Sequence, residues 1–151
     1  MSVKIESLRF GAFEVDENQV LEFPRGLIGI PGTGYVLVDL SPGAAFRWLH
    51  STENPAFALP VVDPSAVVPE FVLTVDKAER ERHGIEDIAN CEIYVTVKAD
   101  PDPAATTLNL RAPIVIMERR GYQLLNSAPG ADLRAPLPLK QLERAPESVA
   151  R

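Results

Sequence analysis

Residues 91–99, CEIYVTVKA, decide the fold class. Cys91, Ile93, Val95, Val97 and Ala99 fall on one side of an extended chain; Glu92, Tyr94, Thr96 and Lys98 fall on the other. A period of two, carried by β-branched and aromatic residues, predicts a strand with one apolar face. The same alternation recurs in short pieces on both sides. Before it come 3–10, with a slip at Ser7, then 13–15, 20–23, 35–40, 46–49, 57–62 and 71–75. In 46–49, Trp48 faces one way while Arg47 and Leu49 face the other. After it come 106–110, 113–118 and 122–125.

Turn chemistry separates these pieces: 16–18 (DEN), 41–43 (SPG), 63–64 (DP) and 100–103 (DPDP). The 14 prolines among 151 residues are about twice the usual ~5% share. Proline fixes φ and lacks an N–H, so a helical bundle is excluded. The one convincing helix is DKAERERHG at 76–84. Asp76 reads as its cap, Glu79 as the capping-box partner three residues on, and Gly84 as its stop. Residues 65–68 read as a turn or short helix, and 85–88 as a further turn. The pattern predicts a mainly β protein, an antiparallel closed barrel-like or sandwich fold, with one short surface helix near residues 76–83. In 23–32, FPRGLIGIPG, three glycines and two prolines predict a tight loop, anchored by burial of Leu27, Ile28 and Ile30.

Residues 1–135 are expected to form one domain, and 136–151 a proline-rich tail, partly docked or mobile. Leu133, Leu137, Leu139 and Leu142 are the residues available to dock it. A single cysteine, no apolar segment in the opening MSVKIESLRF and no apolar run near ~18 residues predict a cytoplasmic protein without a membrane span. Net charge is −6, concentrated early: residues 1–75 carry four basic and nine acidic side chains. Such a surface repels nucleic acid and steers basic proteins.

Enzyme chemistry finds little support. His50 and Ser51 are adjacent on a strand, point to opposite faces and cannot meet, which leaves them as polar side chains at a strand edge. Cys91 starts an apolar face and reads as core packing. His50, His83 and Cys91 are too scattered for zinc. GLIGIPG at 26–32 lacks the Gly-Lys-Ser/Thr ending of a phosphate loop, and Arg119-Arg120 is too small a basic cluster for nucleic acid. No catalytic residue, metal or cofactor is expected.

Three segments, in order, carry a family resemblance: FGAFEVDENQVLEFPRGLIGIPG at 10–32, FRWLHSTENPAFALPVVDP at 46–64 and TTLNLRAPIVIMERRGYQLL at 106–125. The third is the most specific, through Thr107, Asn109, Leu110, Ala112, Pro113, Ile114, Val115 and then Gln123. From about residue 5 to 134 the chain resembles the flagellar assembly factor FliW family. It departs from the family at Met117, where Asn is usual, and at 128–134, where Pro129 and Gly130 stand and the aromatic before Leu133-Arg134 is missing.

The resemblance implies a closed β fold, a monomer, and two protein partners: flagellin and the translational regulator CsrA. It implies that flagellin occupies the factor until export. The freed factor then binds CsrA away from its RNA surface and relieves repression of flagellin translation. For partner binding the expectation falls on Asn109 and Arg111, in a loop where Asn109 bonds locally and Arg111 projects. It falls also on Glu70 and Phe71 in the 63–71 connection, and on Glu14 and Glu17 in the acidic half. A small-molecule-binding barrel or minor enzyme is the rival reading, favoured by a deep apolar cavity with convergent polar groups.

Overall fold

The computed structural model describes residues 1–30, 32–39, 46–86 and 88–137. Its first two strands, β1 (Ser2–Ile5) and β2 (Phe13–Asp16), pair only with each other, antiparallel. Then come β3 (Leu21–Glu22), β4 (Gly34–Val38), β5 (Phe46–Ser51) and β6 (Ala58–Val62). Two helices follow, α1 (Pro64–Val67) and α2 (Lys77–His83). The chain finishes with β7 (Glu92–Lys98), β8 (Thr107–Leu108), β9 (Ile114–Met117), β10 (Arg120–Gln123) and β11 (Ala135–Pro136).

Seven strands close into a barrel in the order β7-β6-β5-β4-β3-β10-β9, with β9 returning to β7. Six of the seven pairings are antiparallel; the seventh, β3 with β10, is parallel and rests on Glu22 opposite Arg120. β7 makes closure possible by changing neighbours along its length. Glu92–Tyr94 pairs with β9, Val95 and Thr96 with β6, and Val97 and Lys98 with β8, which carries β11 on its far side.

The register places Leu21, Tyr35, Leu49, Val61, Tyr94, Ile114 and Ile116 on the inner face with Phe23, and these side chains fill the interior. Phe23 is fully buried and stands edge-on to Tyr35, ring centroids 5.3 Å apart. It lies across Gly121, where a Cβ would fall inside its ring. At one end of the interior Arg47 forks onto the Asp39 carboxylate and donates to the Tyr94 hydroxyl at 2.7 Å.

The apolar side of β7 turns out to be the outer face. Val95 and Val97 sit under α1, β8 and β11, with Phe46, Trp48 and Leu108. Ile93 and Cys91 join Val115, Leu124 and Ile85 in a separate cluster. Both faces of the middle of this strand are covered, while Glu92 and Lys98 at its ends are exposed.

Several expected elements are revised. Residues 71–75 alternate in burial but join no sheet; their backbone bonds to side chains and to Ser127 instead. β1 stops at Ile5, because residues 7–11 close a turn around the Ser7 hydroxyl. The Asp76–Glu79 capping box does not form: the Asp76 carboxylate accepts from Ser127, and Glu79 accepts the Leu125 N–H. A capping box exists at Asp16 and Gln19, around a 3-10 turn. Gly84 ends α2 as expected, at φ 70.

The helix near 76–83 is joined by the four-residue α1, capped by Asp63. His50 and Ser51 are buried rather than at an edge, since β5 lies between β4 and β6. Cys91 is only half-buried. Leu137 of the tail is buried and Leu133, just before it, exposed, whereas Leu139 and Leu142 lie outside the described residues, as do Pro31, the turn at 41–43 and Asp87.

Candidate functional site

The end of the barrel opposite Arg47 is open. There the inner residues Leu59, Thr96, Ile114 and Gln123 meet Leu27 and Ile30 of the 23–32 loop, forming the floor of a groove of about 560 Å³. Its far wall comes from Asn109, Arg111, Leu133 and Arg134.

Two amides shape this wall. Gln123 accepts the Ile28 N–H at 2.7 Å and donates to the Ala112 carbonyl at 3.0 Å, tying loop 23–32 to the segment before β9. The Asn109 oxygen accepts from Arg111 N–H and Ala112 N–H, both at 3.1 Å. That turn throws Arg111 outward, where among the described residues its side chain reaches only the Ala131 carbonyl, at 3.4 Å.

Glu70 and Phe71 line a second cleft of about 330 Å³, with Val68, Leu110, Pro129 and Ala131. Leu110 faces this cleft while Asn109 and Arg111 face the groove, so four of the six expected residues gather around one loop. Glu14 and Glu17 do not join them. Glu14 stands on β2 opposite Lys4; the Glu17 carboxylate lies 3.9 Å from the N-terminal ammonium, and its carbonyl accepts from Arg119 at 2.9 Å.

Three features escaped the sequence reading. Ile28 was expected to be buried and is 62% exposed; Leu125, placed in the last core strand, is 52% exposed. Both line the groove. Asn126, never singled out, is 5% exposed and bonds to four backbone groups from three segments. A lone Asn after a strand carries no periodic signal that would reveal it.

Helix α2 flanks the groove and is held by its polar side. Glu79 takes the Leu125 N–H at 2.8 Å, and Arg25 donates to the Arg82 carbonyl at 3.1 Å. The His83 ring, 6% exposed, packs edge-on against Tyr122. Burial holds the His83 imidazole below its ordinary range, although Glu79 at 3.6 Å pulls the other way; Arg25 and Arg82 act with burial. The folded state therefore binds this proton less readily than the unfolded one. The contribution is complete above the ordinary imidazole value of ~6.5 and is lost as pH falls through the lowered folded value. Between about pH 7.5 and 5.5, the thermal midpoint should fall further for the native chain than for His83→Gln. Equal losses would remove His83 from the account.

A closed barrel filled by side chains, with an apolar groove at one mouth, defines a small closed β-barrel protein. Among the described residues no group of His, Cys, Asp and Glu is placed to hold a metal, and no helix is long and apolar enough to cross a membrane.

The family model described as FliW protein matches residues 4–137, and the chain belongs to the FliW family. The flagellar assembly factor FliW of Bdellovibrio bacteriovorus is 31% identical over 149 residues, covering 97% of this chain and 85% of that protein. The flagellar assembly factor FliW of Leptospira interrogans is 33% identical over 119 residues, covering 77% and 79%. A crystal structure of the flagellar assembly factor FliW superposes with a TM-score of 0.78 at 26% identity, over 91% of this chain and 99% of that one. The family is one of flagellar assembly factors and not of enzymes.

Proposed function

We propose that this protein binds flagellin, and that when free of flagellin it binds CsrA and antagonises it allosterically, relieving repression of flagellin translation. The observation that carries the reading is the apolar groove at the mouth of a filled barrel. An amphipathic helix of an unassembled filament subunit has a face to protect, and grooves of this kind take such faces. Aromatic and aliphatic side chains fill the interior beneath the groove.

Asn109 and Arg111 serve the groove in this proposal, and Glu70 and Phe71 the adjoining cleft. Glu14 and Glu17, exposed on and beside the β1–β2 hairpin, supply the acidic face for the basic RNA-binding partner. Partner switching needs coupling of only ~1–3 kcal/mol between the two binding events.

The test is direct titration of the purified chain with purified flagellin, then with CsrA, each with and without the other. Saturable binding of both, with flagellin weakening CsrA binding, supports the proposal. Failure to bind either sinks it and promotes a small-molecule ligand for the groove. Glu14→Lys with Glu17→Lys should slow association with CsrA about three- to tenfold at low salt, with little change at high salt. An unchanged rate at low salt would remove the hairpin from the encounter surface.

A further inference from the structure

The chain as a whole is acidic, yet the groove is not. Lys98, Arg111 and Arg134 line it, and Arg25 and Arg82 line the clefts that adjoin it beside α2. Of these five only Arg82 has a carboxylate within ion-pair distance among the described residues, Glu79 at 3.8 Å. Two acids, Asp76 and Glu79, line the cleft beside α2, but Glu79 is turned inward onto the Leu125 N–H and Asp76 accepts from the Ser127 hydroxyl. Four cations without a carboxylate partner among the described residues stand around one apolar opening, on a chain of net charge −6, and attract groups of the opposite sign to those that the chain as a whole attracts.

The apolar surface also extends beyond the groove floor. Ile28, Leu125 and Leu133 are three of the seven large apolar residues left exposed among the described residues, at 62%, 52% and 52%, and all three stand on this rim. A compact ligand filling about 560 Å³ would leave their outer surfaces in water. A helix, about 10 Å across, would cover them while inserting one apolar stripe.

We infer that the groove's occupant is an amphipathic helix whose flanks carry carboxylates, read by Arg111 and Arg134 on one side and Arg25 on the other. This rests on the partner-binding reading above and specifies the chemistry of the segment the groove selects. Apolar insertion supplies the affinity; the cations set orientation and reject helices with basic flanks. It also separates the two electrostatic surfaces: the acidic hairpin attracts basic proteins, and the groove attracts acidic helices.

The probe is a pair of synthetic 18-residue helical peptides with the same leucine stripe, one flanked by Glu and the other by Lys. Each is titrated by fluorescence anisotropy into the full chain. The Glu-flanked peptide should bind at least about tenfold more tightly near 50 mM salt, and the difference should shrink near 500 mM. Arg111→Glu with Arg134→Glu, both exposed positions, should reverse the preference while the thermal midpoint holds. Equal binding, or tighter binding of the Lys-flanked peptide, overturns the inference, as does a preference that survives the double charge reversal.

Purified flagellin is run in competition. Flagellin that binds but is not displaced by the Glu-flanked peptide would overturn the inference and leave the function standing. A peptide that binds as expected beside a flagellin that does not would uphold the groove's chemistry and overturn the function.

Discussion

Gly121→Ala should cost the fold about 3 kcal/mol, large against the ~5–15 kcal/mol that holds a domain together. Gly121 is not needed for its backbone angles, since its φ lies outside the left-handed region. It is needed for space. The Phe23 ring passes over it, and a Cβ would meet three ring carbons. A ring has no flexible end to move aside. Phe23 is packed among Leu21, Leu27, Tyr35 and Ile116, so it cannot retreat without opening the interior.

The control is Phe23→Leu, which alone should cost about 1–2 kcal/mol as a cavity. In the double variant the Ala methyl enters the space the ring has left, so the two losses should fall short of additive by at least about 1 kcal/mol. Urea denaturation of the four proteins measures this. Additive losses, or a Gly121→Ala variant as stable as the native chain, would mean that the ring is free to shift.

Asn126→Ala should be comparably severe, at about 3–4 kcal/mol, by a different route. The side-chain oxygen accepts from Thr74 N–H at 3.0 Å and Ala128 N–H at 3.1 Å; the nitrogen donates to the Val72 carbonyl at 3.0 Å and the Leu110 carbonyl at 3.1 Å. One amide thus substitutes for a strand partner along 72–74 and fastens that segment to the loop bearing Arg111. Removing it leaves four backbone groups without this partner, the buried Leu110 carbonyl and Ala128 N–H among them.

Asn126→Asp is the informative companion. It keeps the acceptor, turns an oxygen toward two carbonyls, and should be at least as damaging. Amide exchange of Thr74 should accelerate in both variants before global unfolding. Protection at Thr74 as strong as in the native chain would show that 71–75 is held by something else.

These two sites mark the limit of what the sequence reveals. The alternation in 91–99 predicts a strand correctly, and Trp48 does lie opposite Arg47 and Leu49. Alternation cannot say which face is inside. In β7 the face with Tyr94 and Thr96 looks into the barrel, and the more apolar face looks outward under other elements. Nor does it report hydrogen-bond partners, so 71–75 reads as a strand although side chains take the ladder's place.

Capping chemistry is ambiguous in the same way. Asp76 with Glu79 and Asp16 with Gln19 both fit the spacing, and only tertiary demand for the Glu79 carboxylate by Leu125 N–H decides between them. The groove is assembled from residues near 28, 59, 97, 110, 124 and 134, which no local pattern joins. The 106–115 segment is marked in the sequence by its family likeness, while the exposed Ile28 and Leu125 that complete the site read as core.

The parallel contact between β3 and β10 has a consequence for biosynthesis. It joins Glu22 to Arg120, so the seam that seals the barrel pairs one of the first strands translated with one of the last. Until β10 has left the ribosome, β3 and β4 form one edge of an open sheet, with Phe23 and Tyr35 lacking the strand that will cover them. Closure of so distant a contact is slow, and exposed strand edges are where nascent chains aggregate. Folding of this protein is therefore expected to complete only after synthesis of residue 123, as a single late event, and a chain truncated before β10 should be trapped as an insoluble open sheet.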